Sequence, residues 1–332
     1  MSGERAPQIV CTDGEGQLEG SVVDSRRLGD TGPITSCLGF GCLALSGVYG
    51  EVARAESLAL LHNVLDTGVT LLDMSDDHAG GEVERLVGEA VRPWRDDVLL
   101  STRTLQRPSG GTSLRKACEA SLKRLGVDHI DLYIVGRAQG GAPVEEIAGR
   151  LGELVTAGKV RHAGLSDVTG DELRRAHAVH PITALGLEYS LWHRDPELDQ
   201  LPVARELGVG LVAGRPLGRG FLAGRGGSAR ELDPGDARRA DARFDPANLP
   251  GNIARLRKLE AEAATMDVST GRLALAWLLA RGPDVVPVPS TRDPVHLEMN
   301  AGSVRLLLTD ATCRRLEAAF PYGAATGAPL PG

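Results

Sequence analysis

The sequence predicts a single (β/α)8 barrel, the α/β architecture of TIM barrels, with an N-terminal β-hairpin and a long loop after the seventh strand. The chain has 332 residues and is 42% hydrophobic, which suffices for one large core. From about residue 38, short apolar runs alternate with amphipathic stretches of crossover-helix length. Eight of these runs qualify as strands, which is the number that closes such a barrel.

The predicted elements follow the strand–helix order of a parallel barrel. In the first helical stretch, Leu58, Leu61 and Leu65 fall on one face, as in an amphipathic crossover helix. The strands are predicted at Cys37–Gly41, Val69–Asp73, Val98–Thr102, Ile130–Val135, Val160–Ser166, Ala184–Glu188, Gly210–Ala213 and Val285–Val288. The helices between them are predicted at Ala55–Asp66, Glu82–Val91, Ser113–Leu125, Val144–Thr156, Gly170–Ala178 and Pro196–Leu207.

A doubly wound sheet is the alternative fold. A nucleotide-binding sheet of that kind needs a glycine-rich phosphate turn and a helix directly after its first strand. Here the first predicted strand runs into Gly39–Cys42, which lacks the GxGxxG spacing and is not followed at once by a helix. The pattern therefore favours the barrel.

Two segments interrupt the alternation. Val22–Ile34 contains the turn signal Gly29–Pro33 between two short runs, which predicts a hairpin that closes the barrel bottom. Arg215–Asn252 is long, weakly periodic and rich in Gly, Arg and Asp, as in a functional cover or a disordered loop. The expected organisation is a disordered leader at 1–20, one barrel domain at 21–320 and a flexible tail at 321–332.

The composition limits which kinds of binding partner and which cellular compartment we expect for this protein. The net charge of −7 is spread along the chain without a basic stripe, which argues against nucleic acid as a partner. No apolar run approaches the roughly 20 residues that span a bilayer, and the N-terminus lacks a signal pattern. Five cysteines without CxxC spacing fit a reducing cytoplasm, and no residue set has metal-ligand spacing. A small-molecule substrate is the expected partner, while the oligomeric state stays open.

Several segments, distributed over most of the chain, resemble the aldo-keto reductase family. They include RRLGDTGPITSCLGFGCLALSGVYG, HNVLDTGVTLLD, LKRLGVDHIDLYIV, GKVRHAGLSDV, RPLGRGFLAG and VVPVPSTRDPVHLEMN. The resemblance extends from about Arg26 to Leu316. It implies a (β/α)8 barrel and, by default, NADPH-dependent reduction of a carbonyl group.

The resemblance also locates the four catalytic positions, and only one holds the residue that the family uses. That set is Asp, Tyr, Lys and His at the C-terminal ends of barrel strands. This sequence has Asp73, then His78 for the tyrosine, Arg103 for the lysine and Gly136 for the histidine. Asp73, His78 and Arg103 are the predicted catalytic residues. An Asp73–Arg103 ion pair is expected, beside a neutral His78 imidazole that acts as a base.

The cofactor positions implied by the resemblance are altered at one end only. Asp167 follows Ser166 where the family has Asn, Gly186 replaces a Gln, and Gly214 replaces the tyrosine that stacks on nicotinamide. The adenosine-phosphate end is better preserved. The predicted cofactor-binding residues are Ser166, Ser290, Thr291, Arg292 and Asn300. The sequence therefore predicts either no cofactor or NADPH bound at a damaged nicotinamide subsite.

Four further residues are predicted to contact the substrate, each with a structural alternative. Tyr49 lies in a loop near the expected cavity mouth and is alternatively a rim residue without a role. Trp192 is a cavity wall or simple packing. Asp167 and Arg215 either contact a polar ligand or pair with each other in the vacated nicotinamide space.

Three functions follow from these replacements. The first is an enzyme that has lost hydride transfer and performs redox-neutral acid–base chemistry on a carbonyl metabolite: dehydration, cyclisation or epimerisation, as a lyase or isomerase. Its Arg-rich composition suggests a tailoring role in secondary metabolism. The second is an NADPH-dependent carbonyl reductase with a non-standard proton donor. The third is a ligand-binding pseudoenzyme without catalysis.

Overall fold

Eight parallel strands form the barrel predicted from the sequence. The computed structural model describes residues 23–106, 113–137, 141–224 and 232–327. The barrel strands are Phe40–Gly41 (β3), Leu71–Ser75 (β4), Leu99–Gln106 (β5), Ile130–Arg137 (β6), Val160–Ser166 (β7), Ala184–Glu188 (β8), Gly210–Gly214 (β9) and Val285–Val288 (β10). Neighbouring strands pair in chain order from β3 to β10. The fold class is thereby confirmed.

Backbone hydrogen bonds close the barrel between its first and last strands. The amide of Gly39 donates to Pro287 O and that of Gly41 donates to Pro289 O, both at 2.9 Å. The first strand is shorter than the predicted Cys37–Gly41, because Cys37 pairs with the preceding hairpin through a 2.7 Å bond from its amide to Asp24 O. The third strand is longer than expected and continues past Thr102 to Gln106.

The predicted hairpin lies below the barrel. Ser25–Arg27 (β1) and Ile34–Ser36 (β2) pair antiparallel. Leu28, fully buried, packs into the interior cluster formed by Leu71, Leu132, Ile134 and other aliphatic side chains. The hairpin therefore closes the bottom and leaves the C-terminal ends of the strands as the open face, where barrel active sites lie.

Ten α-helices surround the strands among the described residues. Several begin at side chains that accept an amide hydrogen of the first turn, including Ser113, Thr169, Ser269 and Thr309. The helices are Arg54–Asp66 (α1), Glu82–Val91 (α2), Leu114–Leu125 (α3), Val144–Thr156 (α4), Gly170–Val179 (α5), Gln200–Glu206 (α6), Leu249–Thr265 (α7), Thr270–Leu279 (α8), Pro294–Ala301 (α9) and Asp310–Ala319 (α10).

The long segment after β9 covers the open face. Its described parts form short helical turns at Phe221–Ala223, Ala237–Ala240 and Ala242–Phe244. The amide of Ala237 donates to Val48 O at 3.1 Å, which ties this cover to the loop after β3. The functional-cover interpretation of the sequence therefore agrees with where this segment lies.

Residues beyond α10 also contact the cover. In the segment expected as a flexible tail, Ala324 is buried and Thr326 exchanges hydrogen bonds of 2.9 and 3.0 Å with the Asn252 side chain. The expected leader at 1–20 lies outside the described residues. No described helix combines the length and apolar character needed to cross a bilayer.

Candidate active site

A cavity of about 850 Å³ opens between the strand ends and the cover. This volume is within the range of small-molecule sites. Its lining runs from Asp73, His78 and Arg103 at one end to Ser290, Arg292 and Asn300 at the other. We call the first group the reactive end and the second the distal end. The cavity thus reaches both sets of positions that the sequence indicated.

Asp73 lies at the end of β4 and holds an uncommitted carboxylate oxygen. Its strand partner is Ser101 on β5, whose hydroxyl donates to Asp73 Oδ1 at 2.7 Å. Its Oδ2 accepts no hydrogen bond from any residue that the structure describes. Burial raises the pKa of the carboxyl above its ordinary value, although Arg103 and the Ser101 bond oppose that effect. A carboxyl group of raised pKa binds a proton more tightly, which favours its use in proton transfer.

Arg103 does not form the expected ion pair with Asp73. Its guanidinium lies instead over Gly186 on β8, where a Cβ atom would stand 2.8 Å from Arg103 Nη2. The missing side chain at Gly186 is what gives the arginine this room. Within the described chain, the guanidinium has neither a carboxylate partner nor a hydrogen bond. The expected Asp73–Arg103 ion pair was wrong because Gly186, on another strand of the barrel, leaves space for the Arg103 side chain.

His78 is neutral, as expected, but it is not the expected base. Burial lowers the pKa of the imidazole to about 4, with help from Arg103 and Arg215 and against Asp77. Its Nδ1 accepts a 3.2 Å hydrogen bond from the amide of Ser75. The proton of the neutral ring therefore lies on Nε2, which makes His78 a hydrogen-bond donor toward the cavity and not a proton acceptor.

The position of the family histidine is filled by other side chains. A Cβ at Gly136 would stand 2.5 Å from Leu105 Cδ2 and 3.0 Å from both Ser166 Oγ and Asp167 Oδ2. Ser166 Oγ donates to Asp167 Oδ2 at 2.9 Å. Neither Ser166 nor Asp167 lines the cavity. The predictions of a cofactor contact at Ser166 and a substrate contact at Asp167 therefore do not agree with this placement.

Arg215 lines the cavity but pairs with Glu188 and not with Asp167. Its Nη1 donates to Glu188 Oε2 at 3.2 Å. Glu188 is shared with Arg243, whose Nη1 donates to Oε1 at 2.6 Å. Burial by itself would raise the pKa of Glu188, but the two arginines hold it below the ordinary value. The vacated nicotinamide space is thus bounded by an ion network.

Trp192 belongs to the packing beneath the cover and not to the cavity wall. The ring is buried, stacks on Phe221 with centroids 3.9 Å apart, and lies under the Arg243 guanidinium at 4.9 Å. It is not among the residues that line the cavity. Of its two sequence interpretations, the structural one agrees with this position.

Tyr49 and Arg292 meet at the distal side of the cavity. Arg292 donates to the backbone carbonyls of Tyr49, Gly50 and Glu51 at 2.9 to 3.2 Å. The Arg238 guanidinium lies 5.2 Å from the centroid of the Tyr49 ring. Tyr49 therefore lines the cavity through a loop that Arg292 fixes.

The remaining distal residues are placed as the sequence predicted. Ser290, Thr291 and Asn300 all line the cavity. Ser290 Oγ accepts a 2.8 Å hydrogen bond from the amide of Ala44, and Thr291 Oγ1 accepts one of 3.0 Å from Asp293. Side-chain atoms for a phosphate or ribose are available here.

These residues fit a nicotinamide dinucleotide at one end only. The distal end presents Arg292, Asn300 and Ser290 to the cavity. At the nicotinamide end, Ser166 and Asp167 turn toward Gly136, and Gly214 offers no ring for stacking. Side chains at the distal end are therefore available to a nucleotide phosphate, whereas those at the nicotinamide end differ from the residues that the family resemblance implies.

Sequence reasoning missed the acidic and basic residues of the cover. Arg219, Asp241 and Arg243 join Glu188 in the ion network under the cavity. Their segment has no periodicity, so its Arg- and Asp-rich composition was the one available signal. No cluster of His, Cys, Asp and Glu in the described part of the chain could hold a metal ion.

Similarity to known proteins covers nearly the whole chain. Residues 37–320 match the aldo/keto reductase family. The chain is 36% identical over 312 residues to probable aldo-keto reductase 1 of Glycine max, covering 91% of this chain and 90% of that one. It is 35% identical over 325 residues to a Schizosaccharomyces pombe aldo-keto reductase named with NADP(+), covering 93% and 95%.

Solved structures share the same fold. A glycerol dehydrogenase from Gluconobacter oxydans superposes with a TM-score of 0.79 at 24% identity, covering 93% of this chain and 98% of that one. An aldo-keto reductase from Klebsiella pneumoniae in complex with NADPH gives 0.72 at 24% identity, covering 90% and 95%. The family match over residues 37–320 and the relatives at 36% and 35% identity show that the chain belongs to the aldo/keto reductase family.

Proposed function

We propose that this protein is an enzyme that uses the aldo-keto reductase barrel for redox-neutral acid–base chemistry on a small carbonyl compound. The observation that carries the proposal is the separation of Arg103 from Asp73. It leaves a carboxylate of raised pKa beside two hydrogen-bond donors, His78 and Arg103, in one cavity. Dehydration, cyclisation and epimerisation all begin with the step that this set of groups supports.

That step is removal of a proton from the carbon next to the carbonyl. Asp73 Oδ2 accepts the proton as the C–H bond breaks, and the bonding electrons move to the carbonyl oxygen to form an enolate. His78 Nε2–H donates to the negative oxygen, and the positive charge of the nearby Arg103 guanidinium stabilises it further. Return of the proton to the other face gives epimerisation, and loss of a β-hydroxyl as water gives dehydration. No electron acceptor is needed.

Exchange of α-protons tests this function without knowledge of the natural substrate. We expect the protein to catalyse hydrogen–deuterium exchange in D2O on members of a panel of small ketones and oxo acids, followed by proton NMR without added nucleotide. Asp73→Asn should lower the exchange rate about 100- to 10,000-fold, because general base catalysis contributes that much. Ser101 can still donate to the amide oxygen, so the fold should persist.

Asp128→Asn is the matched control, since Asp128 is an exposed carboxylate that does not line the cavity. Its exchange rate should stay within about twofold of the parent rate, as for most exposed substitutions. Equal rates in the parent protein and Asp73→Asn would exclude Asp73 as the base.

Carbonyl reduction with NADPH is the second candidate function. It is favoured by the two relatives named as aldo-keto reductases and by the distal placement of Arg292 and Asn300. In that case His78 Nε2–H and Arg103 would hold the carbonyl oxygen. Carbonyl-dependent NADPH oxidation that is lost in His78→Phe would favour this function over the first.

A further inference from the structure

The reactive end of the cavity is rich in arginine side chains. Three arginines line it: Arg103, Arg215 and Arg219. In the described part of the chain, their guanidinium groups make a single hydrogen bond, from Arg215 Nη1 to Glu188 Oε2 at 3.2 Å. Arg219 Nε lies 3.3 Å from Asp241 Oδ2, yet it is buried and its N–H is not directed at that oxygen.

The nearby carboxylates of Asp241 and Glu188 already accept hydrogen bonds from Arg243, which lies beneath the cavity. Arg243 is completely buried and binds Asp241 through Nε and Nη2 at 3.0 and 2.8 Å. Its Nη1 takes one oxygen of Glu188 at 2.6 Å, and Arg215 takes the other. Asp73 is held by Ser101. Among the described residues, none of these acceptors receives a hydrogen bond from Arg103 or Arg219, and Asp73 Oδ2 also stays without a donor.

The backbone supports the same arrangement. Arg215 and Arg219 adopt φ angles of 49° and 56°, in the left-handed region that non-glycine residues rarely occupy. Strained backbone of this kind is concentrated at ligand and active sites. In this cover, the two strained residues place their side chains at the reactive end.

We infer that the substrate is a carbonyl compound that carries a carboxylate, bound by Arg103 with Arg215 as a second donor and with its carbonyl oxygen on His78 Nε2. A planar guanidinium matches a carboxylate through two parallel hydrogen bonds. The place of the carbonyl group rests on the proposed function. Recognition of the carboxylate does not require turnover.

Oxamate and oxamide form a matched pair of probes, because they are similar in size and one lacks the carboxylate. We expect calorimetry to detect oxamate binding and at least about tenfold weaker binding of oxamide. Arg103→Met should weaken oxamate binding about 10- to 100-fold, as expected for hydrogen bonds to a charged group. Arg103→Lys should restore part of the loss. Arg150→Met, on the exposed face of α4, should change nothing.

Thermal unfolding of Arg103→Met and Arg103→Lys guards against a folding defect as the cause. Equal binding of oxamate and oxamide would overturn the inference. So would Arg103-dependent binding of inorganic phosphate by a protein that ignores oxamate. Oxamate binding without any α-proton exchange would remove the proposed function and leave the carboxylate site. Exchange on neutral ketones without oxamate binding would remove the carboxylate site and leave the proposed function.

Discussion

The two ends of the cavity have diverged differently from the family pattern. At the distal end, Ser290, Thr291, Arg292 and Asn300 occupy the expected positions and line the cavity. At the reactive end, the family resemblance implies tyrosine, lysine and histidine where this chain has His78, Arg103 and Gly136, and Leu105, Ser166 and Asp167 fill the space beside Gly136. In this barrel mouth, the residues of one part differ from the family pattern while those of another part keep it.

The two ends of the cavity also differ in the contacts that hold their side chains in place. Glu188, Asp241 and Arg243 form a buried ion network beneath the reactive end. At the distal end, Arg292 is exposed and bonds to backbone carbonyls of the loop at Tyr49. A buried network fixes side chains closely, whereas exposed contacts contribute little to stability. The predictions below test this contrast.

The largest effect on stability is expected from Arg243. Arg243→Met should lower the free energy of unfolding by about 3–5 kcal/mol, because it leaves Glu188 and Asp241 buried without their main partner. Arg292→Met should change it by less than about 1 kcal/mol. Urea unfolding at pH 7 measures both. Similar losses in the two variants would contradict the contrast between the ends.

A pH-dependent effect is expected from His78. Its pKa is about 4 in the folded protein and 6.5 ordinarily, so the unfolded chain binds the proton more readily between these values. The free energy of unfolding therefore falls as the pH drops from 6.5 toward 4, by up to about 3 kcal/mol. In His78→Gln this part of the pH dependence should disappear.

Urea unfolding at three pH values between 4.5 and 7 measures the change, with His62→Gln on the exposed face of α1 as the control. The account fails here if the two variants have the same pH dependence of stability as the parent.

A smaller effect is expected at Gly186. A methyl group there would meet Arg103 Nη2 at 2.8 Å and Ile134 Cδ1 at 3.1 Å. The flexible end of Arg103 can yield, so Gly186→Ala should fold and should weaken oxamate binding about three- to tenfold by displacing the guanidinium. Unchanged affinity would mean that the place of Arg103 over Gly186 does not matter for binding.

The smallest effect is expected when the nicotinamide half of the nucleotide is removed. Under the proposed function only the distal end seats a nucleotide, so NADP+ and 2′,5′-ADP should bind with dissociation constants within about threefold of each other. Calorimetric titration of both ligands measures the ratio. A preference of more than about tenfold for NADP+ would show that the reactive end does seat the nicotinamide.

Sequence patterns predicted the fold and part of the site. Strand–helix alternation and the Gly29–Pro33 turn sufficed for the barrel and its hairpin, because both depend on local periodicity and turn chemistry. The family resemblance singled out Asp73, His78 and Arg103, and all three line one cavity.

The direction of individual side chains could not be predicted in this way. Arg103 turned from Asp73 because Gly186, on another strand, left room for it. Asp167 turned toward Gly136 for the same reason. Arg219 and Arg243 lie in a cover without periodicity, where contacts depend on tertiary packing alone. These contacts join residues that are far apart in the sequence, so they cannot be predicted from one strand at a time.

The most direct test of the central claim runs two assays on one preparation of the parent protein. Proton NMR in D2O follows α-proton exchange of 2-oxobutyrate without nucleotide, and absorbance follows NADPH oxidation with the same compound. The account predicts enzyme-dependent exchange and no oxidation above the protein-free rate. Oxidation of NADPH without exchange would contradict it and would establish this protein as a reductase that works with His78 and Arg103.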